Sequence, residues 1–137
     1  PIMDGHVFDL GGRKITVKHF AGHTRGSVIF LDELSKHMFV GDNCCPSPWV
    51  YLPNSASLEE WVKGAIEILK LMDDYTAHWG HEGGNISKEV FKKVINYAEE
   101  IISNQSKNTL LPIVKFYPEN DRINGSIVYR KSNVHGK

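Results

Sequence analysis

Phe20-Ala21-Gly22-His23-Thr24-Arg25-Gly26-Ser27, continued by Val28-Ile29-Phe30-Leu31 and then by His37-Met38-Phe39-Val40-Gly41-Asp42, decides how this chain folds. A histidine in a glycine-flanked turn is followed by an apolar strand, a polar turn, a second apolar strand and an aspartate. Ser27–Leu31 and His37–Val40 are rich in β-branched and aromatic residues, and Asp32-Glu33-Leu34-Ser35-Lys36 supplies turn chemistry between them. That pattern predicts an antiparallel hairpin. With Asp32 opposite His37, Ser27 falls opposite Asp42 and His23 lies in the loop at the same edge. Two residue types that bind metals are thereby brought together from distant positions.

Upstream, Gly5–Leu10, Gly11-Gly12 and Arg13–Phe20 read as strand, turn, strand. Ile15 and Val17 alternate with Lys14, Thr16 and Lys18, which predicts one buried and one wet face. Downstream, the loop from Asn43 to Asn54 carries Pro46, Pro48 and Pro53 and is expected to lack regular structure. Its Trp49, Tyr51 and Leu52 suit either a cover over a pocket or packing onto the sheet. Ser57-Leu58-Glu59-Glu60 is a capping box. Behind it, Leu58, Trp61, Val62, Ala65, Ile66, Leu69 and Met72 hold one face of a helix. Tyr75–Trp79 reads as a short strand ended by Gly80-His81-Glu82-Gly83-Gly84. A second helix starts near Ser87, with Phe91, Val94, Ile95, Ala98, Ile101 and Ile102 on one face, and Asn104–Asn108 breaks it. The tail offers Leu110–Tyr117, a turn at Pro118–Asp121 and a last strand around Ser126–Arg130.

The order strand, helix, strand from Asp42 to Trp79 is a β-α-β unit, whose two strands run parallel through a crossover. Parallel strands share a carboxyl edge, where α/β sheets collect ligands. Asp42 and His81 both lie just past such ends, so the topology brings His23, Asp42 and His81 to one edge. Two neutral imidazoles and a carboxylate suit Zn²⁺, Fe or Mn, and a carboxylate can be shared between two cations. His78 competes with His81 but sits on the strand, where a packed or solvated role is simpler. His6, His19, His37 and His135 read as surface or sheet residues. Cys44 offers either a thiolate or a small buried side chain.

At 137 residues the chain is long enough for one domain with a core, read here as 1–137. Sixteen basic and sixteen acidic residues balance, and no run of like charge stands out, so nucleic acid and anionic membranes are not expected partners. The apolar runs are strand-length, with neither a transmembrane span nor a signal-peptide pattern. The only cysteines, Cys44 and Cys45, are adjacent and read as two thiols rather than a disulfide. A cytoplasmic location is expected.

Gly22-His23-Thr24, Gly26-Ser27, the strands ending at Gly41-Asp42, and Gly80-His81 together resemble, in order, the third, fourth and fifth metal-binding motifs of the metallo-β-lactamase superfamily. The resemblance implies an α/β (α+β) fold, the C-terminal half of an αββα sandwich, with a mixed sheet and two main helices. It implies that His23 completes a first metal site, that Asp42 bridges two metals and that His81 completes the second. A metal-bound hydroxide would then attack an ester, thioester, lactam, lactone, phosphodiester or sulfate ester of a small-molecule substrate.

The departures are informative. The superfamily's His-x-His-x-Asp-His run is missing, since no two of the seven histidines stand at i and i+2. Arg25 replaces the usual proline after Gly-His-Thr, and Glu82 follows His81 where glycine is common. Arg25 reads as an exposed loop residue, with contact to an anionic substrate as the alternative. With Pro1 as first residue, a processed or truncated chain is expected, with three ligands spread over two metal positions. Such a chain is expected to hold metal weakly and to be inactive. Its uncovered apolar surface predicts a homodimer or a swapped oligomer. The alternative to a hydrolase is a non-catalytic, metal-free piece acting through association; a redox relative with iron and a flavin partner domain is a third reading.

Overall fold

The computed structural model describes residues 1–81, 84–104, 115–117, 125–129 and 134. Its elements are β1 (Val7–Asp9), β2 (Lys14–His19), β3 (Val28–Asp32), β4 (His37–Phe39), β5 (Trp49–Val50), α1 (Leu58–Leu71), β6 (Thr76–His78), α2 (Lys88–Asn104), β7 (Lys115–Tyr117) and β8 (Ile127–Tyr129). The first four strands and β6 form a mixed sheet in the order β1-β2-β3-β4-β6, and β5-β8-β7 form a second, smaller sheet.

The expected hairpin is present with the expected register. Asp32 lies opposite His37, Leu31 opposite Met38 and Phe30 opposite Phe39. Pairing ends there rather than running on to Ser27 and Asp42. Gly41 takes a positive φ of 54°, and Gly41–Asn43 coil into a single 3-10 turn. Glycine adopts that backbone without a Cβ penalty, and the turn swings Asp42 out of the strand line. β6 then runs parallel to β4, with Met38 beside Ala77 and Phe39 beside His78, as a crossover connection requires.

Residues directly opposite one another point to the same face of a sheet. Leu31, Met38 and Ala77 therefore share one face, and they merge with Trp61, Ala65, Phe91, Val94 and Ala98 of the helices into one core. Thr16 lies on that face opposite Leu31, and Lys18 opposite Ile29. These two side chains are half-buried rather than fully wet. The other face carries Phe8, Val17, Phe30 and Phe39; Val17 is buried, whereas Phe8 and Phe39 stay exposed.

The proline-rich loop departs from expectation, because Trp49–Val50 is a strand that pairs in parallel with β8. Proline lacks an N–H but keeps its carbonyl. The carbonyls of Pro46 and Pro48 accept from the main-chain N–H groups of Ser126 and Val128 at 2.8 and 3.1 Å. The α1 N-cap follows the sequence: Ser57 Oγ accepts from Glu60 N at 3.1 Å. Glu60's carboxylate receives Arg25 Nη1 at 3.3 Å. α2 buries Phe91, Val94, Ile95, Ala98 and Ile101, and Ser87 Oγ accepts from Val90 N. The expected turn at 118–121 and the first part of the tail strand, 110–114, lie outside the described residues. No described helix is long and apolar enough to cross a membrane.

Candidate metal centre

His23, Asp42 and His81 meet at the end of β4. Asp42 stands between the two imidazoles: His81 Nε2 lies 3.1 Å from its Oδ1 and His23 Nε2 lies 3.9 Å from its Oδ2. Among the described residues, no three His, Cys, Asp or Glu side chains close into a cage around a single ion. Each imidazole instead faces a different oxygen of the one carboxylate, His81 within direct hydrogen-bonding distance. The carboxylate is 38% exposed and the His81 ring 70%, so this edge is open to solvent.

His23 is held at several points. Its Nδ1 lies 2.9 Å from the Trp49 carbonyl. A carbonyl only accepts, so Nδ1 is the donor in this contact and Nε2 is the ring nitrogen turned toward Asp42. Fixing one ring nitrogen in this way is how metal-binding histidines are oriented. The donor set therefore fits a divalent transition metal. Ser55 Oγ donates to the His23 carbonyl at 2.8 Å, and the Asn43 side-chain oxygen accepts from its N–H at 2.5 Å. On the other side, Gly80 passes so close to Asp42 that a Cβ there would sit 3.2 Å from Oδ1.

Other candidates lie elsewhere. His78 faces His37, with Nε2 and Nδ1 2.6 Å apart, and its ring stacks on Phe39. It belongs to the sheet. Cys44 and Cys45 are free and buried. Burial pushes the Cys45 thiol up to about 12, against a hydrogen bond from Ser47 N–H, and raises Cys44 well above its ordinary value. Both are protonated at neutral pH, which suits the small-buried-residue reading of Cys44. Arg25 is exposed and paired with Glu60. Trp49 and Tyr51 lie beside the His23 loop with rings 5.6 Å apart, and Trp79 lies 6.1 Å from the His81 ring. Sequence reasoning missed Asn43 and the Trp49 carbonyl; a polar residue directly after Asp42 was the one available signal.

This fold is that of solved metallo-β-lactamase superfamily proteins. A metallo-β-lactamase family protein of Thermus thermophilus superposes with a TM-score of 0.65 at 20% identity, covering 77% of this chain and 36% of that one. ETHE1 of Myxococcus xanthus gives 0.61 at 19% identity, covering 80% and 52%. TTHA1623, solved in a di-iron-bound form, gives 0.53 at 25% identity, covering 68% and 45%. In sequence, the chain is similar to the acyl-coenzyme A thioesterase MBLAC2 of Homo sapiens and of Bos taurus, 34% identical over 73 residues in each. That match takes in 53% of this chain and 26% of the relatives, so the chain spans about a quarter of their length. No family model matches it. What the chain shares with these proteins is part of the fold.

Proposed function

We propose that this chain is the C-terminal half of a metal-dependent hydrolase of the metallo-β-lactamase superfamily, with residues 1–137 forming one domain. The placement of Asp42 between His23 Nε2 and His81 Nε2 carries the reading. His23 would serve one cation position, His81 the other, and Asp42 both. Zinc is the metal best suited to the imidazole and carboxylate donors, with iron or manganese as alternatives. A divalent cation there would lower the pKa of a bound water towards about 7 and polarise the bond under attack. Asp42 and His23 Nε2 would supply donor atoms there, and the Trp49 carbonyl orients the ring through Nδ1.

The substrate class is a small-molecule ester or thioester, thioester being favoured by the likeness to an acyl-coenzyme A thioesterase. The exposed Trp49 and the half-buried Tyr51 border the His23 loop as an apolar wall for an acyl group. The chain by itself offers three donors for two cations, so it is proposed to hold metal weakly and to have no turnover alone. Metal content after dialysis, with an acyl thioester assay on the same sample, tests this. Weak, substoichiometric zinc without hydrolysis is expected; stoichiometric zinc with turnover overturns it. Two free thiols and balanced charge support a cytoplasmic setting with neither nucleic acid nor membrane as partner.

The second reading, association without catalysis, is favoured by one observation: Val7, Phe8, Leu10 and Phe39 are all exposed along the five-stranded sheet and its edge. Apolar surface of this kind marks contact sites. A homodimer or swapped oligomer is proposed on that ground.

A further inference from the structure

We propose that Asn43 is the positioning residue that sets the spacing between His23 and Asp42. The inference rests on the reading of that pair as metal ligands. Asn43 is 2% exposed, and it uses three polar groups at once. Its side-chain oxygen accepts from His23 N–H at 2.5 Å, its side-chain nitrogen donates to the Phe20 carbonyl, and its main-chain carbonyl accepts from Trp61 Nε1 at 3.0 Å.

Those three bonds join three elements. Phe20 and His23 flank the turn that presents the histidine, Asn43 follows Asp42 in the 3-10 turn, and Trp61 is the fully buried anchor of α1. The turn thus closes on the amide of the residue beside Asp42, and α1 fixes that residue from below. Space is reserved for the contact: a Cβ on Gly22 would lie 2.5 Å from both Asn43 Oδ1 and Trp61 Cδ1. Burying an amide costs free energy unless its groups are paired. Here its pairing is spent on the two loops that carry the ligands. A side chain unable to reach both Phe20 and His23 leaves the turn free to move relative to Asp42.

The test compares the chain with Asn43→Ala by amide hydrogen exchange and by zinc titration calorimetry. In the parent, His23 N–H is expected to be protected. In Asn43→Ala that protection and the zinc affinity each fall about tenfold, the scale of one hydrogen bond, while the amides of Ile29 and Met38 keep theirs. Trp61→Phe, which removes only the indole donation, shifts both readouts the same way by a smaller factor and serves if Asn43→Ala does not fold. Unchanged His23 protection in the folded variants overturns the proposal. So does a loss spread evenly over β3, β4 and α1, which marks a purely structural role. If the parent binds no zinc, the hydrolase reading fails by itself, and the exchange of His23 N–H still decides whether Asn43 holds the loop.

Discussion

Asp42 and Asp32 show how the same side chain serves two ends at the residue scale. Asp42 sits on an exposed turn beyond β4, between two imidazoles. Asp32, at the other end of the hairpin, is fully buried and is met by Arg13 Nε at 2.8 Å, by Ser35 Oγ at 2.6 Å and by the N–H groups of Leu34 and Ser35. The Arg13 and Ser35 hydrogen bonds hold the Asp32 carboxyl well below the usual carboxylate range, against the opposing effect of burial. Because the folded value is depressed, the stability this group contributes is present above its ordinary value of 3.8 and is lost as pH falls below it. Arg13→Met is therefore expected to lower Tm at neutral pH and to flatten the fall in Tm between about pH 4 and pH 2. Thermal melts across that range check it; parallel curves for the two proteins would show that Arg13 is not the cause. At this scale the sequence was legible in the topology that brings His23, Asp42 and His81 to one edge. It was opaque for Asn43, whose role depends on which carbonyl and which N–H the fold brings beside it.

At the scale of elements, α1 carries the sheet edge and is set by two residues that act in different ways. Ser57 closes the first turn through its hydroxyl, and Ser57→Ala is expected to cost about 1 kcal/mol in chemical denaturation. Gly64 lies mid-helix, where alanine normally stabilises by about 1 kcal/mol. Here a Cβ would lie 2.4 Å from Phe20 Cδ2, in a ring that is itself buried. Gly64→Ala is accordingly expected to destabilise by about 1–3 kcal/mol despite its better propensity. A stabilised variant would mean the Phe20 ring can move aside. The helices and the hairpin were readable because their periodicity and caps are local. β5 was not, because its partner β8 lies far along the chain and the accepting groups are proline carbonyls, which composition disguises as a loop.

For the whole molecule, the five-stranded sheet has one face whose Leu31, Met38 and Ala77 are buried in the helix core and another that leaves Phe8 and Phe39 exposed. Light scattering at working concentration is expected to show a dimer or larger species, and Phe39→Lys is expected to shift it toward monomer. A monodisperse monomer in the parent would argue against association through this face. The fold class followed from the β-α-β order and the motif sequence. The separation into two sheets did not, since it depends on the distant β5 and β8 pairing.

Zinc titration calorimetry of the chain beside Asp42→Ala tests most directly whether Asp42 joins His23 and His81 into a cation site. Asp42 is partly exposed and outside the core, so its replacement is expected to change stability by no more than about 0.5 kcal/mol. Weak zinc binding in the parent that disappears in Asp42→Ala is the predicted result; equal zinc binding by both proteins would contradict it.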